Sequence, residues 1–434
     1  MKIRLINSLI FAFIFFQTSP SFAQEWSKEI VPGIKYLHIK NQTDNGFLHI
    51  HVLKIDLKNP KINIKPELAN GTIGNLEKTS DIALRNNAVC AINGSFFENR
   101  KKLHLPLGLM IIDGRVVSKS ILERAAIGIT KEKEIVFGMP KVKGYAINLS
   151  NKKSVPIWGI NRPRKKDEVI IYTNEYGDHT RTNSHGKEIV VSGDGNVISI
   201  TNGNSKIPED GFVVSLHGWS RDLIQKTRVG DKIGLVYDLD DKWKNVKQAV
   251  TGGPLLVKDG EIVHEESLVN EKFKKDILPA NSRTAVGITK NNELIFTVVD
   301  KQYPVSTGVT YDQLSRIMKD MGSSYAIGLD GGHTSTMYIN GRVVNFPLYQ
   351  TEAKISNAII VQYDGWKISS KPKIPYIYKY VYKPPSDELI EALKGGADLA
   401  PTTYIPRPED FGLYGLYDLY NRVVPSALKS SFSL

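Results

Sequence analysis

The segment around Asp330 carries the residue types best suited to chemistry. Asp330 ends the apolar, strand-like run 324–329 and is followed by Gly331 and Gly332, then by His333 and Thr334. A carboxylate at the end of a strand is held rigidly, and glycines let backbone N–H groups turn toward a bound anion. The pattern therefore indicates a fixed acid beside an anion site. The alternative is a tight turn between strands, which Asp-Gly-Gly also forms, with His333 as an ordinary loop histidine.

Two further segments end a strand-like run with polar residues and glycine. Asn93 and Gly94 follow the run 88–92, and Gly252 and Gly253 follow Thr251 in a glycine turn that leads into the next strand. An asparagine can both donate to and accept from a sugar hydroxyl or a phosphate. We expect these residues to contribute to substrate binding, although each segment is also compatible with a surface turn.

Arg283 and Asp300 flank a pair of apolar runs. Arg283 offers a planar guanidinium that suits a phosphate diester, and Asp300 closes the apolar run 296–299. The two side chains predict a cation for the phosphate and a second fixed carboxylate.

The elements that must position these residues are mostly strands. Runs such as 47–53 have the β-rich composition of strands, and Asp-Gly and Asn-Gly pairs recur as turn signals. Helix signals are confined to 75–85, to 310–321 with Thr310 as its cap, and to 387–394. The predicted fold class is α/β in the α+β sense, with a mixed β-sheet core, hairpins and a few flanking helices.

The sequence also contains an internal repeat of two similar segments, which we call the echo. Residues 108–117 resemble 253–263, and 124–137 resemble 283–296. Each copy is typical of two hairpins separated by a variable loop. Two copies are too few for a solenoid. We expect related halves of one sheet system with a site between them; the alternative is a coincidence of common hairpin sequences.

Composition excludes several classes of protein. The 434 residues include 57 Lys and Arg, 45 Asp and Glu, and a single Cys. One Cys rules out an intrachain disulfide framework and a cysteine-based zinc cluster. Motifs for phosphate loops, dinucleotide cofactors, metalloproteases and nucleic-acid-binding modules are lacking, so we expect no metal, no cofactor and no nucleic acid. The net charge of +12 favours an anionic partner such as an envelope glycan, or serves solubility alone.

The two ends of the chain differ from its centre. Residues 1–23 combine a basic start, a short apolar run and small residues before Gln24, which is typical of a cleaved secretory signal peptide. We therefore expect a periplasmic or secreted protein without a transmembrane segment. Residues 24–365 form the predicted main domain. Residues 366–434 are rich in Pro, Tyr and Lys and form an extension that could hold the protein at the envelope.

Taken together, the motifs resemble those of the phosphodiester glycosidase family, over about residues 50–364. They occur in the family's order: Asn93-Gly94-Ser95-Phe96-Phe97, Thr251-Gly252-Gly253-Pro254, Arg283-Thr284-Ala285, Asp300 and Leu329-Asp330-Gly331-Gly332. This chain departs from the family pattern at Ser95, Lys301, His333 and Thr334, which bears on sugar specificity.

The resemblance implies hydrolysis of a sugar-1-phosphodiester at its anomeric C–O bond. A phosphate is a good leaving group, and positive charge beside it stabilises its departure. Arg283, Gly331 and Gly332 would do so, while Asp330 and Asp300 would act as nucleophile or base. Asn93, Gly94, Gly252, Gly253, His333 and Thr334 would bind the substrate. The alternatives are a non-catalytic protein that binds anionic glycan and a hydrolase of ordinary glycosides.

Overall fold

The computed structural model describes residues 24–43, 46–98, 103–119, 123–218, 220, 226–302 and 305–367. The predicted signal peptide, the predicted helix at 387–394 and most of the predicted extension lie outside these residues. The described residues form three α-helices and thirty strands.

The first half of the described chain contains the strands β1 (Gln24–Val31), β2 (Ile34–Thr43), β3 (Gly46–Asp56), β4 (Ile62–Leu68), β5 (Glu77–Lys78), β6 (Cys90–Asn93), β7 (Met110–Ile112), β8 (Arg115–Ser118), β9 (Ala126–Thr130), β10 (Ile135–Gly138), β11 (Val142–Asn148), β12 (Lys153–Pro156), β13 (Gly159–Ile160), β14 (Val169–Tyr172), β15 (Lys187–Val191) and β16 (Val197–Thr201). The second half contains β17 (Phe212–Leu216), β18 (Ile233–Leu239), β19 (Val246–Thr251), β20 (Leu255–Lys258), β21 (Glu261–Ile262), β22 (Arg283–Thr289), β23 (Glu293–Val299), β24 (Lys301–Gln302), β25 (Ser306–Thr307), β26 (Ser323–Gly328), β27 (Met337–Ile339), β28 (Arg342–Val343), β29 (Lys354–Ile355) and β30 (Asn357–Tyr363). The helices are α1 (Thr79–Arg85), α2 (His264–Asn270) and α3 (Tyr311–Asp320).

An eight-stranded antiparallel sheet carries most of the predicted site. Its strand order is β1-β2-β3-β23-β22-β26-β20-β21. The adjacent strands β22, β23 and β26 are buried along nearly their whole length. The predicted strand at 47–53 is confirmed within β3. Because Arg283 starts β22, Asp300 follows β23 and Asp330 follows β26, the sheet fixes all three residues relative to one another.

A five-stranded antiparallel sheet joins distant parts of the chain, in the order β28-β27-β6-β30-β4. The strand β6, which ends at Asn93, is placed between β27 and the last described strand, β30. This pairing brings the end of β6 next to the turn that follows β26.

The remaining larger sheets have the orders β10-β9-β19-β7-β8, β12-β11-β18 and β13-β14-β17-β15-β16. Within the described residues, β13 and β14 are the one parallel pair of neighbouring strands. The predicted α+β class is consistent with the structure, but the protein is largely β, with few helices, and among its described sheets the expected mixed order occurs in that of β13 and β14. Where neighbouring strands are joined by a short hairpin, the antiparallel order follows from the connection, since parallel neighbours need long crossovers.

The two segments of the echo form hairpins in different sheets. The first copy forms β7–β8 and β9–β10, and the second forms β20–β21 and β22–β23. The strands β19 and β26 lie between the two hairpins of their respective copies.

The predicted helix with Thr310 as its cap is confirmed as α3. The Thr310 Oγ1 accepts from the Gln313 N–H, the Gln313 side chain accepts from the Thr310 N–H, and Gly322 follows the helix with φ +89°. The helix predicted at 75–85 starts later, since α1 begins at Thr79 and has Lys78 as its N-cap. The sequence did not predict α2, whose N-cap Val263 makes no side-chain cap bond.

The main hydrophobic core lies between the eight-stranded sheet and the two five-stranded sheets of β6 and β9. Leu53 and Phe296 from the first sheet pack in one cluster with Ile92 and Ile127 from the other two. Each such buried side chain stabilises the fold by about 1.5–3 kcal/mol. The core thereby holds the ends of β6, β22 and β26 against one another. Cys90 lies in this core and is fully buried.

Candidate active site

Asp330 lies in the turn after β26, and its backbone is held on both sides. Its N–H donates to the carbonyl oxygen of Gly94 over 3.2 Å, and its own carbonyl oxygen accepts from Asn93 Nδ2 over 2.7 Å. The carboxylate accepts the N–H of Gly331 at Oδ1 over 3.0 Å and interacts with the Thr334 side chain. The residue as a whole is partly exposed, and these contacts hold its carboxyl group in one place.

Burial of the carboxyl group raises the pKa of Asp330 to about 7, against the hydrogen bonds from Gly331 and Thr334, which lower it. A carboxyl group with a pKa near 7 is half protonated at neutral pH and can accept or release a proton. The geometry therefore gives Asp330 the properties of a general acid or base.

Asn93 is fully buried and makes contacts to the protein with both ends of its amide. Beside the Nδ2 contact to Asp330, its Oδ1 accepts from Thr284 Oγ1 over 2.8 Å and from the Thr336 N–H over 3.1 Å. The predicted Asn93 is thus brought next to Asp330, but its polar atoms hold the backbone around the turn. Gly94 is buried too, and a Cβ there would lie 2.0 Å from Asn357 Oδ1.

The two glycine N–H groups expected to bind an anion donate inside the protein. The N–H of Gly331 donates to its neighbour's carboxylate, and the N–H of Gly332 donates to the Ser282 carbonyl oxygen over 2.7 Å. The expected anion nest at this turn is therefore occupied by protein acceptors. Thr334 Oγ1 donates to the Gly331 carbonyl oxygen over 3.0 Å, whereas His333 is exposed and its ring packs edge-on against Tyr349.

Arg283 lies beside this turn, and its side chain also holds neighbouring loops in place through hydrogen bonds to their backbone. Its Nε donates to the Val309 carbonyl oxygen over 3.2 Å, and its Nη2 donates to the carbonyl oxygens of Ile277 and Pro279. Its guanidinium lies 4.0 Å from the centroid of the Tyr311 ring. A Cβ on Gly331 would lie 3.8 Å from Nη1, which shows how close this arginine is to the Asp330 turn.

Asp300 is fully buried and both of its carboxylate oxygens are bonded. Oδ2 lies 2.9 Å from His51 Nε2 and accepts the Phe346 N–H over 3.1 Å, while Oδ1 accepts from Asn345 Nδ2 over 3.1 Å. Asn345 in turn donates to the Ser335 carbonyl oxygen. Asp300 is inaccessible to solvent and, through these hydrogen bonds, supports the segment that follows the Asp330 turn.

The glycine turn 251–254 joins β19 to β20 and contains a cis peptide bond between Gly253 and Pro254. The N–H of Gly252 donates to the Ala125 carbonyl oxygen, and that of Gly253 to the Gly328 carbonyl oxygen, both over 2.8 Å. A Cβ on Gly252 would lie 2.2 Å from that Gly328 oxygen. These two glycines permit close packing of β19 against β26, rather than presenting their N–H groups to a ligand.

Three residues that the sequence did not single out meet at this site. The pKa of the buried Tyr311 is raised, first by burial; the nearby charges of Arg283 and Arg124 lower it, and those of Asp330 and Glu271 raise it. Tyr311 therefore lies among two arginines and two acids. The echo pairs Arg124 with Arg283, and that signal could have identified Arg124. For Tyr311 and Glu271, we find no comparable signal in the sequence.

Within the residues that the structure describes, no group of three or more His, Cys, Asp or Glu side chains is arranged to hold a metal ion. In the same part of the chain, no helix has the length and apolar character needed to cross a membrane.

Comparison with known families gives one match. Residues 185–362 match the family model of phosphodiester glycosidases, which confirms the resemblance indicated by the motifs. Arg283, Asp300 and Asp330 lie inside the matched segment, whereas Asn93 and Arg124 precede it. An uncharacterized protein of Rickettsia conorii is 26% identical over 240 residues, which is 51% of this chain and 78% of that protein.

Two solved structures share the fold. A hypothetical protein from Synechocystis superposes with a TM-score of 0.67 at 21% identity, covering 78% of this chain and 64% of that one, just under two thirds of its length. A Burkholderia pseudomallei K96243 protein described as exported superposes with a TM-score of 0.66 at 16% identity, covering 79% of this chain and 97% of that one.

Proposed function

We propose that this protein is an exported hydrolase that cleaves the anomeric C–O bond of a sugar-1-phosphodiester in an envelope or extracellular glycan. One observation carries the proposal. The segment that matches the phosphodiester glycosidases contains Asp330, a partly exposed residue whose carboxyl group has a pKa of about 7, in a turn beside the Arg283 guanidinium.

In this proposal, Asp330 acts as the base for water. A water oxygen forms a bond to the anomeric carbon while the bond from that carbon to the phosphate oxygen breaks. The electron pair of the broken bond goes to the phosphate, and the Asp330 carboxylate takes one proton from the water. The products are the free sugar and a phosphate monoester. The positive charge of the nearby arginines stabilises the departing phosphate.

Asp300 has a positioning role in this proposal. Because its carboxylate is fully buried and bonded to His51, Asn345 and Phe346, it supports the turn rather than the substrate. Ordinary glycosides need an acid and a second carboxylate on either side of the scissile bond. Of the two aspartates, only Asp330 is partly exposed, and a site with one such acid suits a phosphate leaving group, which requires little help from an acid. The burial of Asp300 therefore argues against the ordinary-glycoside alternative.

The test is an assay of the purified full chain against sugar-1-phosphodiesters and matching aryl glycosides, with and without a chelator. We expect free sugar and phosphate monoester to appear together, at equal rates with and without chelator, and little cleavage of the aryl glycosides. NMR of the first sugar anomer released tests the role of Asp330, because a base for water gives inversion and a nucleophile gives retention. No release from any diester, with a folded protein, would favour the alternative of a non-catalytic glycan-binding protein.

Export rests on residues 1–23, whose pattern is that of a signal peptide. The fold shared with a protein described as exported supports it. Mass spectrometry of the protein recovered from the native cell envelope or medium should find Gln24 at the N-terminus. An intact N-terminus in the cytoplasmic fraction would contradict export.

A further inference from the structure

Arg124 has an unsatisfied hydrogen-bonding group next to the candidate site. Its Nε is buried and has no hydrogen-bond partner among the described residues. The guanidinium lies 4.1 Å from the centroid of the Phe273 ring and 5.6 Å from that of Phe96. A buried donor without an acceptor costs free energy, so a guanidinium held in this way over two adjacent aromatic rings indicates an acceptor that arrives from solution.

The hydrogen bonds of Arg283 can be compared with those of Arg124. Its Nε and Nη2 are both satisfied by backbone carbonyl oxygens. Arg283 could present the Nε and Nη2 side of its planar guanidinium to a phosphate only after these bonds break. Of the two arginines near Tyr311, Arg124 is therefore the better one to bind a phosphate.

The two arginines occupy corresponding places in the two copies of the echo. Ala126, two residues after Arg124, pairs with Thr251 of β19, and Ala285, two residues after Arg283, pairs with Gly328 of β26. The hydrogen bonds that follow also correspond. The Gly252 N–H donates to the Ala125 carbonyl oxygen and the Leu329 N–H to that of Thr284, both over 2.8 Å.

The aromatic partners correspond as well. Arg283 lies over Tyr311 and Arg124 lies over Phe273, at 4.0 and 4.1 Å from the ring centroids. The Arg283 guanidinium thus stabilises the backbone around the site, whereas the Arg124 guanidinium has a donor without an acceptor among the described residues.

The acid whose charge acts on Arg124 is Glu271, and its carboxylate oxygens accept hydrogen bonds from backbone N–H groups. Glu271, the nearest acid in the sequence to Phe273, is buried and its Oε1 and Oε2 accept the N–H groups of Leu255 and Ala125 over 2.8 and 2.9 Å. Burial raises the pKa of Glu271, whereas its hydrogen bonds and the charge of Arg124 lower it. Because the oxygens of Glu271 accept from backbone N–H groups, the Arg124 Nε–H, which has no partner among the described residues, is left for a phosphate group.

We propose that Arg124 is the residue that binds the phosphate group of the substrate and sets the preference for phosphorylated sugars over unphosphorylated ones. This inference rests on the proposed function, since it names the group that recognises the leaving phosphate. Phe96 and Phe273 hold the guanidinium plane in place and exclude water around it, and Arg283 serves as a positioning residue.

The test measures binding rather than turnover, with inorganic phosphate and glucose 1-phosphate as probes in titration calorimetry on the full chain. The variants are Arg124→Lys and Arg124→Gln. Arg181→Gln is the matched control, because Arg181 also lies over an aromatic ring, that of Tyr176, but beside the separate sheet of β13 to β17. We expect Arg124→Gln to weaken the binding of both probes by about 10- to 100-fold, Arg124→Lys to weaken it less, and Arg181→Gln to leave it unchanged.

Unchanged probe binding in a folded Arg124→Gln variant would overturn the inference, and so would the absence of binding to the wild-type chain at millimolar probe. If Arg124→Gln does not fold, Arg124→Lys decides, since it keeps the charge and the stem but lacks the planar fork. Binding that depends on Arg124 without hydrolysis of any diester would remove the proposed function and leave the phosphate site. Hydrolysis of a diester that does not depend on Arg124 would support the proposed function and remove the phosphate site.

Discussion

Asn93 Nδ2 donates a hydrogen bond to the main-chain carbonyl oxygen of Asp330 over 2.7 Å, across 237 residues of sequence. The other end of the same amide accepts from Thr284 and Thr336. One buried side chain thus links the end of β6, the start of β22 and the segment after the turn. The position of the Asp330 carboxylate therefore depends on a contact between two sheets, and not on its own strand alone.

Replacing Asp330 by asparagine should lower kcat on a sugar-1-phosphodiester by about 10²- to 10⁴-fold, because the amide cannot accept the proton from water. The shape of the side chain is kept, so the circular dichroism spectrum should not change. The control is Asp320→Asn at the exposed end of α3, which should keep full activity. Full turnover in Asp330→Asn would remove this residue from the mechanism.

The raised pKa of Asp330 also has a consequence for stability. The folded protein keeps the proton up to a pH of about 7, whereas an unfolded chain releases it near pH 4. Between these two values the folded state binds more protons than the unfolded state, so this group makes stability fall as pH rises. Asp330→Asn should therefore be more stable than the wild type at pH 8, by up to about 4 kcal/mol, and similar to it at pH 4. Urea titrations at the two pH values measure this difference, and an equal gain at both would contradict the assigned pKa.

Asp300→Asn should damage the fold more than the chemistry. An amide nitrogen placed against the Phe346 N–H or His51 cannot replace the carboxylate oxygen it removes, and the expected loss of stability is about 2–4 kcal/mol. Glu188→Gln is the matched control, since Glu188 is equally buried and its carboxylate is bonded by Thr180, Thr182, Ser205 and Ser215.

Chemical denaturation should give similar losses for these two variants, and kcat should fall only for Asp300→Asn, since only Asp300 supports the Asp330 turn. A folded Asp300→Asn enzyme that loses turnover as fully as Asp330→Asn would show that Asp300 takes part in the chemistry.

Arg283→Lys should lower stability by about 1–3 kcal/mol. A lysine has one nitrogen where the guanidinium uses two to bind the carbonyl oxygens of Val309, Ile277 and Pro279. Thermal unfolding measures the loss. The comparison is Arg124→Lys, which breaks no bond to a backbone carbonyl and should change the melting temperature less. The opposite order of the two variants would contradict the structural role assigned to Arg283.

Acid should destabilise the protein through its buried histidines. Burial is the main cause that lowers the pKa of His38 to about 3 and of His49 to about 4, and the neighbouring His51 and Lys40 lower both further, while Asp300 raises that of His49. An unfolded chain takes up these protons near pH 6.5, so stability that is present above pH 6.5 is lost as pH falls toward 4.

The expected loss between pH 6.5 and 4.5 is about 1–3 kcal/mol per histidine. His38→Gln should flatten this dependence in urea titrations, whereas His179→Gln, which changes a histidine with a 44% exposed side chain, should not. Parallel pH profiles for the wild type and His38→Gln would count against this explanation.

Sequence reasoning succeeded where the cause was local. Thr310 and Gly322 marked the two ends of α3 because a cap and a left-handed glycine act within one turn of the helix. It also identified the polar ends of β6, β22, β23 and β26, since each is a strand end within a short stretch of chain. The roles of these residues depend on strand pairing between distant segments, and hydrophobic periodicity does not reveal that pairing.

Gly331 and Gly332 illustrate the limit. Their spacing predicts free N–H groups, but the register of β22 and β26 places the Ser282 carbonyl oxygen where an anion would sit. Asp300 shows the same limit. Its position at a strand end is evident from the sequence, but whether its carboxylate is exposed or buried depends on residues that are distant in sequence. Here Asn345 and Phe346 cover it.

The strand β30 lies between β6 and β4, although it is the last strand of the described chain. A hydrogen bond between Asn63 and Gln362 spans 299 residues. During synthesis, β4 and β6 therefore emerge long before the neighbour that each requires, and this sheet closes only when nearly the whole domain has been made. Such dependence on distant contacts slows folding. The position of β30 in the middle of its sheet therefore makes this sheet a late step in the formation of the fold.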